Sequence, residues 1–162
     1  MTDIILGIHS TESSDNDSFT SGHAWLSITE NGRTITYGLW PDRHPVTVDN
    51  GRGKDIRTGL ENKMTAAASR YYRLSANQAT MLNHSIRNKS VSWRITNTCA
   101  AWASAIVKEI IGEDVDADDY MGFETPRELG RNILILEKKR STSLINPLSL
   151  HSDPAGKILF KW

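Results

Sequence analysis

The chain is nearly devoid of cysteine: Cys99 is the only one among 162 residues. A single cysteine excludes an internal disulfide framework and fits a reducing compartment. Net charge is missing as well. The 19 basic and 19 acidic residues cancel, so no global field draws the chain to nucleic acid or to an anionic surface. No stretch approaches about 18 uninterrupted apolar residues, and membrane insertion by a transmembrane helix is therefore not expected. His9, His44, His84 and His151 show no metal-ligand spacing with one another or with Cys99, so neither a metal nor another cofactor is expected. The acidic run from Glu113 to Asp119 alternates carboxylates like a calcium loop, but Asp119 replaces the required Gly and Thr125 the bidentate Glu. It reads as a solvated linker.

What the chain does have suits one domain over residues 1–162, long enough to bury roughly two-thirds of its unfolded surface. Ile4, Ile5, Leu6 and Ile8 lie near the N-terminus without a positive leader, which reads as a strand rather than a signal peptide. The expectation is synthesis in the cytoplasm, with a Sec-independent export route left open. Asn31-Gly32 separates two β-prone runs as a type I′ turn requires, predicting a hairpin of 22–29 paired with 33–40. Residues 41–63 are rich in Pro, Asp, Asn, Gly and Arg and read as a long connection with little regular structure. Arg70–Leu74 reads as a strand, and Ser75 with Gln78 as a capping box ahead of a helix bearing Ala79, Leu82 and Ile86. Val91–Ile95 is an extended approach to a helix over 98–111, with Asn97 as N-cap and Gly112 as the stop. A further helix begins at Thr125-Pro126-Arg127-Glu128, where Glu128 closes a box, and carries the stripe Leu129, Ile133, Leu136. Residues 157–162 read as a closing strand.

Two residues in this framework carry chemistry. Cys99 falls in the first turn of its helix, where free N–H groups and the positive dipole end favour a thiolate and could bind an oxyanion. It also shares a stripe with Trp102, Ala103, Ile106 and Ile110, so a packing role weighs equally. His23 follows Ser21-Gly22 at the opening of the hairpin, where a rigid strand edge suits a general base near neutral pH. A satisfied structural histidine is the competing reading. Trp40 and Trp93 either pack in the core or wall a substrate groove.

The arrangement Gly22-His23-Ala24-Trp25 on an early strand, with Asn97-Thr98-Cys99-Ala100-Ala101-Trp102 at a helix start far downstream, resembles the circularly permuted NlpC/P60 branch of the papain-like superfamily. The resemblance spans about residues 20 to 112. The run Thr36-Tyr37-Gly38-Leu39-Trp40-Pro41-Asp42 also resembles small bacterial proteins of this kind, some of them secreted antibacterial effectors. The resemblance implies an α+β papain-like fold, a nucleophile helix on an antiparallel sheet, and a cysteine amidase or peptidase with Cys99 as nucleophile and His23 as base. It implies a third, polar residue on the strand after the histidine. Asp42 is the best match, since a regular hairpin sets His23 opposite Trp40 and puts Thr36, Gly38 and Asp42 on its face; Asp17 or Ser10 could serve instead. The implied substrate is a peptide amide of the peptidoglycan stem, and an effector would add an immunity protein or secretion adaptor as partner. Acyl transfer, a protein protease or deamidase activity, and a non-catalytic peptide-binding module are the alternatives.

Overall fold

Short β-prone runs that end by residue 74 build a sheet, and three later stretches of helical periodicity pack with it. The computed structural model describes residues 2–42, 55–88 and 90–147. Strands β1 (Ile4–Ser10), β2 (Ala24–Glu30), β3 (Arg33–Leu39), β4 (Ile56–Thr58) and β5 (Ala68–Leu74) form one sheet in the order β4-β3-β2-β1-β5. Every neighbouring pair is antiparallel. Helices α1 (Ala76–Ile86), α2 (Cys99–Ile111) and α3 (Pro126–Lys139) follow in chain order, giving an α+β architecture. Among the described residues no helix is long and apolar enough to cross a membrane.

The β2–β3 register is the one the turn chemistry predicts. Glu30 pairs with Arg33, and Asn31 and Gly32 both take positive φ, 53° and 73°, as a type I′ turn demands. β2 begins two residues later and ends one later than the predicted 22–29, and β3 begins as predicted and ends one residue before 40, because His23 pairs with Thr11 and Trp40 with Asp55 outside the hairpin ladder. The segment expected to hold little regular structure contains the three-residue strand β4, which pairs Ile56 with Leu39. Its residues 43–54, like the expected strand at 157–162, lie outside the described residues.

One sheet face, with Leu6, Ile8, Leu26, Leu39 and Tyr72, packs with Trp102, Ile106 and Val107 of α2 and Leu129 and Ile133 of α3 into the core. Burying each such side chain contributes about 1.5–3 kcal/mol. Arg70, fully buried on the same face, bonds Glu113 at 2.6 Å and Glu137 at 2.9 Å, tying β5 to the ends of α2 and α3. The expected solvated linker is thus anchored at Glu113, and again at Asp119, whose carboxylate takes the Arg127 guanidinium at 2.7 Å.

Caps fix the helix ends. The Ser75–Gln78 box is complete. At α2 the cap is Thr98, not Asn97: the Thr98 hydroxyl accepts from Ala101 N at 3.2 Å, while the Asn97 side chain turns back to Ser92 O at 3.1 Å and its backbone pairs with Arg94. At α3, Thr125 accepts from Glu128 N at 3.2 Å. Glu128 does not close the box; its carboxylate goes to Arg131, and Thr125 N donates to Ala117 O.

Candidate functional site

Cys99 is the first residue of α2, and its position follows from the Thr98 cap. The Thr98 hydroxyl also donates to Glu124 O at 2.9 Å, so the helix start is held from both sides. Cys99 is buried, with 7% of its surface exposed.

His23 precedes β2, pinned by its backbone. Its N–H donates to Thr11 Oγ1 at 2.9 Å and its carbonyl accepts from Thr11 N at 3.0 Å. The imidazole packs against Trp40, with ring centroids 4.0 Å apart, and stacks at 6.0 Å on Trp25. Its Nε2 bonds Glu61 Oε1 at 2.8 Å, and the Cys99 sulfur lies near enough to the ring to favour its charged form. Cysteine, histidine and carboxylate are therefore gathered in one place, with the imidazole bonded to the carboxylate.

Glu61 is the residue that the sequence reading missed. It lies in the turn after β4, where Gly59, at φ 82°, donates its N–H to Thr36 O at 2.9 Å. The Thr36 hydroxyl donates to Asn62 Oδ1 at 3.1 Å, so the turn folds back over β3. The Glu61 side chain is wholly buried, and its Oε1 also accepts the Trp40 indole N–H at 2.7 Å. Space for this carboxylate comes from Gly38: a Cβ there would overlap Glu61 Oε1 and lie 2.8 Å from His23 Nε2. A glycine inside a β-strand weakens it and marks a close approach, which was the one signal in the sequence that something packs there.

Burial alone would push the His23 imidazole down. The Cys99 sulfur and the Glu61 carboxylate outweigh burial and raise it to about 9, so the ring is an imidazolium at neutral pH. His9 contrasts with it. Its ring bonds Ser69 Oγ at 2.8 Å and Ser27 Oγ at 2.7 Å, with no carboxylate partner, and burial lowers it to about 4. That leaves His9 neutral and satisfied.

The residues expected as third members lie elsewhere. Asp42 accepts from Arg57 Nη2 at 2.8 Å, because the chain leaves β3 at Trp40-Pro41 and turns toward β4. Asp17 caps its own loop through Ser13 N and Ser14 N. Ser10 donates to Pro126 O at 2.7 Å. Trp40, expected as a groove wall, is buried at 4% exposure, and its N–H is engaged by Glu61. Trp93 is partly buried, with its backbone N–H on Asp55 Oδ2 at 2.7 Å, in the segment that leads to Cys99. A cavity of about 430 Å³ opens at the hairpin end of the sheet, lined in part by Ile28, Tyr37 and Leu82, and includes neither Cys99 nor His23. Among the described residues no group of three or more His, Cys, Asp or Glu could hold a metal ion.

No protein-family model matches the chain, and no curated protein or solved structure shows significant similarity to it.

Proposed function

We propose that the protein is a thiol hydrolase of papain-like type that cleaves a peptide amide through a Cys99 acyl-enzyme. The observation that carries this reading is the buried His23 imidazole bonded to the Glu61 carboxylate, with the Cys99 sulfur near enough to favour its charged form. Packing alone gives no reason to bury three ionisable groups together, since each pays a desolvation cost.

The chemistry follows from the geometry. The Cys99 thiolate attacks the amide carbonyl, and the amides at the start of α2, which have no intrahelical acceptor, stabilise the oxyanion. The His23 imidazolium protonates the departing amine, leaving a thioester. Neutral His23 then takes a proton from water, the hydroxide adds to the thioester, and the acid product leaves as Cys99 is restored. Glu61 holds the ring in place through Nε2 and stabilises its charge throughout.

The order of histidine strand before cysteine helix supports the permuted NlpC/P60-like assignment, and with it the stem peptide of bacterial peptidoglycan as substrate. Delivery by a Sec-independent system into a rival cell's periplasm is the biological setting that fits such an activity. Incubating purified sacculi with the wild type should release new muropeptides that the Cys99→Ala variant does not release; identical chromatograms would refute the peptidoglycan substrate.

The cradle at Gly38 makes a separate prediction. A methyl there must displace the Glu61 carboxylate, and misplacement by about an ångström costs on the order of 10²-fold in positioned chemistry. Gly38→Ala is expected to lose turnover on that scale while still showing a cooperative thermal transition, measured by steady-state assay and circular dichroism.

A further inference from the structure

Trp40 joins the two halves of the site. Its indole N–H donates to Glu61 Oε1 at 2.7 Å, and its ring lies 4.0 Å from the His23 ring, so it fixes both the carboxylate and the imidazole. Its backbone N–H donates to Asp55 O at 3.0 Å. Asp55 then accepts the Trp93 N–H through Oδ2 at 2.7 Å and donates its own N–H to Val91 O at 3.4 Å. The segment so held, Val91 to Asn97, is cross-braced by Asn97 Nδ2 to Ser92 O at 3.1 Å and runs directly into the Thr98 cap. A bonded path thus leads from His23 through Glu61, Trp40 and Asp55 to the start of the Cys99 helix.

From this geometry we propose that Trp40 is a positioning residue that aims Glu61 at His23 and ties the histidine side of the site to the cysteine side. The proposal deepens the Cys99–His23 reading and rests on it. A Phe at position 40 keeps most of the ring contact and removes only the donor. Glu61 Oε1 then retains His23 as its one remaining partner among these bonds, and its Oε2 has none among the described residues, so the carboxylate loses its fixed aim. An alternative role for Trp40 as mere core filling predicts lost stability with unchanged chemistry.

The test is alkylation of Cys99 by iodoacetamide from pH 5 to 10 in the wild type, His23→Ala, Trp40→Phe and Trp40→Leu, with melting temperatures recorded for each. Trp40→Phe is expected to melt cooperatively and to alkylate about tenfold more slowly at pH 7, the scale set by one lost hydrogen bond to a charged group. Its upper inflection, which reports His23, should fall from about 9 toward the ordinary histidine value near 6.5. Trp40→Leu, which also loses the ring, should fall further. A Trp40→Phe profile that superimposes on the wild type, whatever its melting temperature, would overturn the proposal while leaving the Cys99–His23 pair intact. Failure of the pair itself shows separately, as a wild-type profile indistinguishable from that of His23→Ala.

Discussion

Cys99→Ala is expected to lose amide cleavage by roughly 10⁴- to 10⁶-fold, the scale on which removal of an enzymatic nucleophile is felt. The fold should survive. Cys99 sits at the very start of α2, whose helical state depends on the Thr98 cap and on the buried stripe of Trp102, Ile106 and Ile110, none of which uses the sulfur. Alanine is a better helix former and fits the same space, so the stability change should stay within about 1 kcal/mol. The variant also separates the two supports of the His23 charge. Loss of the sulfur removes one of the two groups that raise the imidazole, so His23 should titrate below about 9 in Cys99→Ala, which an NMR titration of its ring protons reads directly. Retention of cleavage in this variant would exclude the proposed mechanism.

Glu61→Gln should produce the second largest effect, a loss on the order of 10²-fold in kcat. The substitution preserves volume in a site where the side chain is wholly buried, so packing is held nearly constant while the negative charge is removed. His23 then loses the negative charge beside its Nε2, and burial, the opposing influence, pushes the ring down. The sign of the pH effect follows from this. In the wild type the raised His23 stabilises the folded protein fully below about 6.5, and that contribution is lost as pH rises through about 9. Glu61→Gln should flatten this alkaline loss of stability, seen as melting temperatures that depend less on pH between 7 and 9. A variant with wild-type kcat and an unaltered alkaline limb would remove Glu61 from the site.

The sequence displays those parts of this arrangement that depend on local chemistry. Asn31-Gly32 admits one hairpin register, and that register sets His23 opposite Trp40 with Gly38 alongside, as found in the packing of their side chains. The Ser75–Gln78 box and the Gly112 stop likewise act within a few residues of themselves. Glu61 was illegible because nothing local brings it to His23. Its placement needs the 59–64 turn to dock on β3 through Gly59 N to Thr36 O and Thr36 Oγ1 to Asn62, contacts between segments more than twenty residues apart. Asp42 looked better only because it extends the right strand face; Pro41 ends that strand, and Arg57 of β4 captures the carboxylate. Asn97 and Thr98 are both competent caps by residue type. The choice between them is tertiary, since Thr98 also reaches Glu124 O while Asn97 braces the preceding turn.

The central claim, that His23 holds the Cys99 sulfur ready to react, is tested most directly by the rate of Cys99 alkylation with iodoacetamide as a function of pH in wild type and His23→Ala. The wild type should react faster than His23→Ala at pH 6 to 7, with an upper inflection near 9 that the variant lacks. A single inflection near 8.5, the value of an ordinary thiol, at equal rates in both proteins would contradict it.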